Sequence, residues 1–283
     1  MRVHDFLPDM VLEPLVRHAL LEDLGQYGDI TTSAVIAPET TYRARLNARA
    51  AGRVSGMQVA ALVFRLIDPA LAVKVLIPDG QACKAGDTLM TINGRAASIL
   101  MGERVALNFA SRLAGIATVT ASFVAETEGT RTRITCTRKT TPGLRLVEKQ
   151  AVLHGGGYNH RYSLSDAILI KDNHIAAAGG ISAVLDRARG VASHMVRIEI
   201  EVDTLAQLEE VLLNGKADVV LLDNMSTKTL RAAVALVSGR IVTEASGTMS
   251  LERIREVAAT GVDYISVGAI THSAKILDLG LDF

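Results

Sequence analysis

The stretch RIEIEVDTLAQLEEVLLNGKADVVLLD, residues 197–223, decides the fold. It opens with a short run rich in isoleucine and valine and continues through an amphipathic stretch over 204–214. It closes with a second apolar run that ends at Asp223. A strand, a helix and a strand in this order predict a βαβ unit with two parallel strands.

The same alternation extends over the second half of the chain. Further strand-like runs end at residues 137, 171, 246 and 268, and helix-like segments lie near 144–153, 176–190, 226–237 and 250–260. About six such units without a Gly-x-Gly-x-x-Gly turn favour an α/β barrel over a dinucleotide-binding sheet.

The first hundred residues follow a different pattern. A helix is predicted over 10–24, an alternating strand over 41–52 and a helix over 56–67, and further strands over 71–77 and 87–92. These elements predict a smaller α/β domain with an antiparallel sheet. A long helical pattern from about 101 to 128 leads into the barrel. We therefore expect an N-terminal domain over 1–110 and a barrel domain over 111–270.

Composition excludes several classes of protein. The 283 residues include 30 basic and 30 acidic side chains, and this balance argues against nucleic-acid and membrane-surface binding. The sequence contains no unbroken run of eighteen apolar residues, so we expect no membrane span. The stretch MRVHDFLPDM at residues 1–10 lacks the apolar run of a signal peptide. Two distant cysteines provide neither a disulfide framework nor a Cys-x-x-Cys metal site. We expect a cytoplasmic protein.

Charged or turn-forming residues follow most of the predicted strands. Parallel strands bring their carboxyl ends to one rim, where barrels place functional groups. The cations at this rim suit carboxylates and phosphates, and Glu201 and Asp223 suit a hydrated Mg²⁺, unless they only pair with the lysines. The turns after the last two strands suit a phosphate. In chain order the strand ends carry Thr137-Arg138-Lys139, Lys171, Glu201, Asp223, Glu244 to Gly247, and Gly268-Ala269.

The stretch HGGGYNHR, residues 154–161, places three glycines between two histidines. The glycines predict either a close approach of the backbone to a ligand or a sharp bend. An esterase oxyanion loop is excluded because no serine has the Gly-x-Ser-x-Gly context, and zinc is excluded by the histidine spacing. We expect a structural rather than a catalytic role for His154.

Several long motifs together resemble one family. They are LLEDLGQYGDITTSAVI at 20–36, TRKTTPGLRLVEKQAVLHGGGYNHR at 137–161, SLSDAILIKDNHI at 163–175, and DYISVGAITHSAKILDLGLDF at 263–283. In this order they are similar to the quinolinate phosphoribosyltransferases, also called nicotinate-nucleotide pyrophosphorylases (carboxylating). The resemblance implies an N-terminal α/β sandwich joined to an incomplete α/β barrel of about six strands, with residues 271–283 returning to the sandwich. It implies a Mg²⁺-dependent homodimer, or a larger assembly built from it.

The resemblance also implies an activity and a set of site residues. Phosphoribose is transferred from phosphoribosyl pyrophosphate to quinolinate, and loss of CO₂ gives nicotinate mononucleotide for NAD synthesis. Lys139, Lys171, Glu201 and Asp223 are then the catalytic residues, and the two acids also hold Mg²⁺ through water. Arg104 belongs to the pocket of a neighbouring subunit. The remaining substrate-binding residues are Thr137, Arg138, His160 and Arg161 for the carboxylates and Ser246, Gly247, Val267, Gly268 and Ala269 for the 5′-phosphate.

One departure and two alternatives remain at this point. Gly247 is followed by Thr248 and Met249, where the family commonly has a second glycine and an aliphatic residue. A Schiff-base aldolase would use Lys139 or Lys171. The second alternative is a non-enzymatic carrier, because the stretch PDGQACKAGDTLMTI, residues 78–92, is similar to biotinyl and lipoyl carriers. The neighbouring segments lack an obvious turn with the lysine that such carriers modify.

Overall fold

The computed structural model describes residues 7–283, so the expectation drawn from residues 1–10 falls partly outside the described chain. The described residues form two compact units. Unit 1 consists of residues 7–121, Thr140–Gly156 and Ile270–Phe283, and unit 2 consists of Ser122–Lys139 and Gly157–Ala269.

Unit 1 is built on a four-stranded antiparallel sheet. Its strand order is β12-β1-β5-β3, so the last strand of the chain pairs with the first. Two further short strands, β2 and β4, pair separately. The elements are α1 (Asp9–Leu24), α2 (Ile30–Val35), β1 (Thr41–Ala48), β2 (Gly52–Arg53), α3 (Met57–Ile67), β3 (Ala72–Val75), β4 (Ala82–Cys83), β5 (Thr88–Arg95), α4 (Ala96–Ala125), α5 (Arg145–His154) and β12 (Leu279–Asp282).

Helix α4 is long and apolar enough, by length and composition, to cross a membrane. However, 61% of its most apolar 18-residue window is buried inside the protein. Residues on several of its faces are fully buried, among them Ile99, Leu113 and Ile116. This is the burial expected of a helix at the centre of a hydrophobic core.

Unit 2 contains a six-stranded parallel sheet, as the βαβ pattern predicted. Its strand order is β6-β11-β10-β9-β8-β7. The elements are β6 (Arg133–Thr135), β7 (Ile168–Ile170), α6 (Asp172–Ala178), α7 (Ile181–Val191), β8 (Ile198–Val202), α8 (Leu205–Asn214), β9 (Val219–Asp223), α9 (Thr227–Val237), β10 (Val242–Ser246), α10 (Leu251–Ala258) and β11 (Tyr264–Ser266). The short helix α11 (Ala269–His272) starts at the last residue of unit 2, and its other residues belong to unit 1.

The single helix predicted over 176–190 is wrong, because two helices occupy this segment. Gly179 and Gly180 adopt φ values of 88° and 125°, which end α6 and start α7 in a new direction. The predicted strand ends at 137, 171 and 268 are also one or two residues too long. The residues concerned have left the sheet and belong to the loops of the rim.

The segment 157–167 starts beside β6 and leads into β7, and these are the two edge strands of the sheet. Tyr158 forms a parallel bridge with Thr135 beside β6, and its backbone exchanges hydrogen bonds with Ile134 and Cys136. Near β7, the Arg161 guanidinium donates to the carbonyl of Ala167 at 2.8 Å. This segment therefore spans the gap that makes the barrel incomplete.

The two faces of the sheet differ in polarity. One face carries apolar residues such as Ile200, Val220 and Leu222, and all three are fully buried. The opposite face carries Glu199, Glu201, Asp223, Glu244, Ser246 and Ser266. Because alternate residues of a strand point to opposite faces, the polar side chains lie together inside the barrel.

Candidate functional site

The carboxyl ends of the six strands form the rim that the sequence predicted. Following the sheet from β7, the rim presents Lys171, then Glu201, Asp223, Ser246-Gly247 and Val267-Gly268-Ala269. The loop after β6 adds Thr137, Arg138 and Lys139, and the segment beside β6 adds His160 and Arg161. All these predicted site residues therefore belong to unit 2.

Two arginines concentrate positive charge at the edge of β6. The Arg161 guanidinium lies close enough to Arg138 for their repulsion to matter, and it is partly buried. Burial and then the Arg138 charge lower the pKa of Arg161, while Glu199 acts in the opposite direction. The Nε of Arg161 is buried without a hydrogen-bond partner. Close guanidinium groups of this kind suit a ligand with more than one negative charge.

The first two glycines of HGGG have structural explanations. A Cβ at Gly155 would lie 2.5 Å from the carbonyl oxygen of Ala117 and from the Cβ of Thr120, so helix α4 allows no side chain there. Gly156 has a φ of 89°, which lets the chain bend out of α5. His154 hydrogen-bonds through Nδ1 to the Ser55 hydroxyl at 2.8 Å, within unit 1. Gly155 is therefore required for packing within unit 1, and Gly156 for the bend that ends α5.

His160 belongs to a buried cluster with two glutamates. Its Nε2 lies 2.9 Å from Glu199 Oε2 and 3.8 Å from Glu244 Oε1. The side chains of Glu199 and Glu244 are only 9% and 6% exposed. Burial, followed by the Glu199 charge, raises the pKa of Glu244 to about 7.

Glu199 is not among the site residues predicted from the sequence, and Glu244 is among them only as part of a strand end. A usable signal was present, because each glutamate lies two residues before a predicted site residue on the same strand. Period-two alternation places Glu199 on the face of Glu201, and Glu244 on the face of Ser246. Both glutamates occupy interior strand positions behind the rim, and site residues were predicted only at the strand ends.

The acidic side of the rim contains one ion pair. Lys171 Nζ lies 2.6 Å from Glu201 Oε2, and the backbone N–H of Lys171 donates to His174 Nδ1. Asp223 accepts a hydrogen bond from the Asn224 side-chain amide at 2.6 Å. Glu201 therefore pairs with a lysine, as the alternative interpretation expected, whereas Asp223 contacts a neutral amide.

The turn after β10 is tightly packed against the turn after β9. Gly247 has a φ of 119°, and a Cβ there would lie 2.5 Å from Asn224 Oδ1. Arg253 of α10 donates to the carbonyls of Met225 at 2.7 Å and Thr248 at 3.3 Å. Thr248 is exposed and Met249 is buried, so the unusual pair adds an exposed hydroxyl beside the turn.

Arg104 lies on helix α4 in unit 1, and its side chain is exposed. Over residues 7–283, no hydrogen bond or ion pair is found for it. Arg104 therefore belongs to a different unit from the other predicted site residues.

The fold and the rim together define an α/β-barrel enzyme for anionic substrates. The match to known proteins is more specific. Residues 29–114 match the family described as "Quinolinate phosphoribosyl transferase, N-terminal domain", and residues 116–282 match its C-terminal domain. The chain belongs to the quinolinate phosphoribosyltransferase family.

Individual relatives cover nearly the whole chain. A probable nicotinate-nucleotide pyrophosphorylase (carboxylating) of Bacillus subtilis is 43% identical, over 96% of this chain and 93% of that protein. A nicotinate-nucleotide pyrophosphorylase (carboxylating) of Mycobacterium leprae is 41% identical, over 94% and 95%. The crystal structure of NadC from Streptococcus pyogenes is 39% identical and covers 98% of both chains, with a TM-score of 0.95.

Proposed function

We propose that the rim of unit 2 is the active site at which this enzyme performs the reaction of its family. The enzyme transfers phosphoribose from phosphoribosyl pyrophosphate to quinolinate and releases pyrophosphate and CO₂. The product is nicotinate mononucleotide, a precursor of NAD. We propose the roles of individual residues in this reaction from their positions on the rim.

The observation that carries the assignment is the order of groups around the rim. Arg138 and Lys139 follow β6, Arg161 lies in the segment 157–167, and Lys171 follows β7. The acids follow on β8 and β9, and the two turns follow on β10 and β11. A dicarboxylate at the cations, a 5′-phosphate at the turns and a pyrophosphate near the acids would surround one ribose.

The cations give the site its substrate selectivity. Quinolinate brings two carboxylates, which the Arg138 and Arg161 guanidinium groups can bind through paired hydrogen bonds. Nicotinate would leave part of this buried charge unmatched, and a site built for a polar group discriminates strongly against a ligand that lacks it. We expect quinolinate to be used and nicotinate to be rejected.

The donor set at the acidic side fits Mg²⁺. Glu201 and Asp223 supply carboxylate oxygens on neighbouring strands, and Mg²⁺ prefers oxygen ligands and keeps several waters. We propose that these two residues hold the ion through water. When bound, Mg²⁺ neutralises negative charge on the pyrophosphate that leaves.

In the proposed mechanism, the bonds break and form in the following order. The bond from ribose C1′ to pyrophosphate breaks, and the carboxylates of Glu201 and Asp223 stabilise the positive charge on the ribose. The ring nitrogen of quinolinate bonds to C1′ and becomes cationic. The bond to the 2-carboxylate then breaks, its electron pair remains on the ring carbon, CO₂ leaves, and a proton takes its place.

We propose that the active enzyme is a homodimer with composite sites. Arg104 is a cation without a partner among the described residues, on a helix of unit 1. Several large apolar side chains of the same unit are also exposed, including Met10 at 83%, Leu21 at 69% and Tyr27 at 86%. A second copy that covers these side chains would explain their exposure and would receive Arg104 in its pocket.

We also place the enzyme in the cytoplasm. Cys83 and Cys136 are both buried, and neither forms a disulfide. Such thiols suit a reducing compartment.

The reaction is tested by incubating the protein with Mg²⁺, quinolinate and phosphoribosyl pyrophosphate. Nicotinate mononucleotide, pyrophosphate and CO₂ should form in equal amounts, measured by chromatography and by release of labelled CO₂. The matched control replaces quinolinate with nicotinate and should give no product. Comparable turnover of nicotinate would contradict the proposed role of the cations.

A further inference from the structure

We propose that Glu199 is a positioning residue of the quinolinate pocket, which holds His160 in one tautomer and through it the backbone of Arg161. This inference rests on the proposed function, because it assigns a partner to a pocket residue. It differs from the role that the family resemblance implies for His160, which is direct contact with the substrate.

The first step concerns the Nδ1 atom of His160. The backbone N–H of Arg161 donates to this atom at 2.9 Å. A backbone amide always carries its hydrogen, so Nδ1 must present a lone pair. His160 is therefore not an imidazolium in this geometry, since both nitrogens of an imidazolium are donors.

The second step concerns the other ring nitrogen. A neutral imidazole with a free Nδ1 carries its hydrogen on Nε2, and this N–H donates to Glu199 Oε2 at 2.9 Å. Both nitrogens are then engaged by the protein. Neither a substrate carboxylate nor a metal ion can bind His160 without breaking one of these two hydrogen bonds.

The third step connects the cluster to Arg161. Its backbone is held by His160, and its guanidinium donates to the Ala167 carbonyl at 2.8 Å. Glu199 lies on β8, which pairs with a strand on each side, and its side chain is only 9% exposed. Arg161 is thus fixed at two points before any ligand arrives, and a positioned donor loses little entropy on binding.

The fourth step concerns charge. The Glu199 carboxylate attracts the Arg161 guanidinium and opposes the repulsion from Arg138. Glu244 lies beside the same histidine, and its carboxyl group resists ionisation there. The cluster therefore places one dominant negative charge behind the two arginines.

The tautomer is tested directly by NMR on the substrate-free protein labelled with ¹⁵N-histidine. His160 is identified as the signal missing from His160→Gln. We expect the Nε2-protonated tautomer in wild type and in Glu199→Gln, whose amide oxygen still accepts from Nε2. An Nδ1-protonated ring or an imidazolium would overturn the proposal.

The role in positioning is tested by steady-state kinetics on two substitutions of His160. His160→Asn keeps an acceptor at the position of Nδ1, whereas His160→Leu does not. We expect His160→Leu to raise the KM for quinolinate about tenfold, the loss typical of one buried hydrogen bond. His160→Asn should raise it much less, and neither should change the KM for phosphoribosyl pyrophosphate. Equal losses in both variants would show that His160 contacts the substrate and would overturn the proposal.

Glu199→Leu completes the test, with Glu209→Gln on the exposed face of α8 as the control. We expect Glu199→Leu to raise the KM for quinolinate like His160→Leu, and Glu209→Gln to match wild type. If Glu199→Leu does not fold, the two His160 variants decide the question. Failure of wild type to form nicotinate mononucleotide would reject the proposed function, whereas the NMR result does not depend on turnover.

Discussion

At the scale of single residues, the interior of the barrel is unusual because it buries carboxyl groups. Glu199 and Glu244 have lost most of their water, and each has a buried oxygen without a hydrogen-bond partner. A carboxylate oxygen of Glu199 and one of Glu244 lie within 4.8 Å of each other. Two ionised carboxylates this close would repel strongly in a medium of low polarity. Burial first, and this repulsion second, raise the pKa of Glu244, because a proton on its carboxyl group removes both costs.

Glu244→Gln should change how stability depends on pH. The pKa of Glu244 is about 7 in the folded protein, against 4.5 for an ordinary glutamate, so the folded state binds the extra proton between these values. Wild-type stability therefore falls from pH 4.5 to about 7 because of this group. The free energy of unfolding of the variant, compared with that of wild type, should therefore increase by up to about 3 kcal/mol when the pH is raised from 5 to 8. Urea unfolding at pH 5 and at pH 8 measures this difference, with Glu209→Gln as the control. The prediction is contradicted if the difference in stability between Glu244→Gln and wild type is the same at both pH values.

Gly247→Ala should damage the proposed phosphate turn. The new Cβ would require a φ of 119° and would lie 2.5 Å from Asn224 Oδ1. We expect a loss of about 1–3 kcal/mol in stability, typical of backbone strain, and a higher KM for phosphoribosyl pyrophosphate. Gly190→Ala, where no atom lies within 4 Å, is the control. Equal behaviour of the two variants in kinetics and thermal unfolding would refute this role of Gly247.

At the scale of elements, helix α10 connects two loops of the rim. Arg253 holds the carbonyls of Met225 and Thr248, which belong to the turns after β9 and β10. These are the turns assigned to pyrophosphate and to the 5′-phosphate. If the turns have these proposed roles, one side chain sets the spacing between the two parts of the site that hold phosphoribosyl pyrophosphate.

Arg253→Leu should therefore raise the KM for phosphoribosyl pyrophosphate and leave that for quinolinate nearly unchanged. The expected factor is about tenfold, the loss of one to two hydrogen bonds to a charged group. Arg255→Leu on the same helix removes only an exposed pair with Glu126 and is the control. Steady-state kinetics with each substrate varied in turn would disprove the role of Arg253 if both KM values rose together.

Helices α4 and α5 are joined by a buried ion pair. Arg112 contacts Glu148 through Nε at 2.8 Å and Nη2 at 2.5 Å, and Glu148 is fully buried. Arg112 also donates to the Thr141 hydroxyl, and the Thr141 N–H donates to Glu148. This network fixes the start of the segment Thr140–Gly156 within unit 1.

Glu148→Ala should be strongly destabilising, by about 3–5 kcal/mol, because Arg112 would remain without its counter-ion. The exposed pair Arg17–Glu13 provides the comparison, and Glu13→Ala should cost under about 1 kcal/mol. Chemical denaturation of both variants measures the difference. Similar small losses would mean that the network contributes little.

At the scale of the whole molecule, the proposed composite site makes a quantitative prediction. Arg104→Ala and Lys139→Ala should each be nearly inactive. Random mixing of subunits makes about half of the molecules heterodimers, and two-fold symmetry gives each heterodimer one intact site. Activity should recover to roughly a quarter of wild type. No recovery, with subunit exchange confirmed by mass spectrometry, would show that Arg104 does not act in the partner's pocket.

Much of the fold could be read from periodicity. The βαβ pattern of 197–223 gave β8, α8 and β9 within a residue or two, because alternation along the chain reflects short-range geometry. The charges after successive strands predicted one rim, because parallel strands share a direction. The break at Gly179-Gly180 was missed, although two adjacent glycines are a signal for it.

The sequence by itself determined the class of fold, the family and the identity of the groups on the rim, since each depends on residues close together in the chain. Only the tertiary structure decided which of these groups meet. His160 lies 39 residues from Glu199, and Gly155 lies against Ala117 of a distant helix. Such contacts depend on the strand order and on how the segment 157–167 spans the gap between β6 and β7. Local periodicity carries no information about either, because both are set by packing between distant parts of the chain.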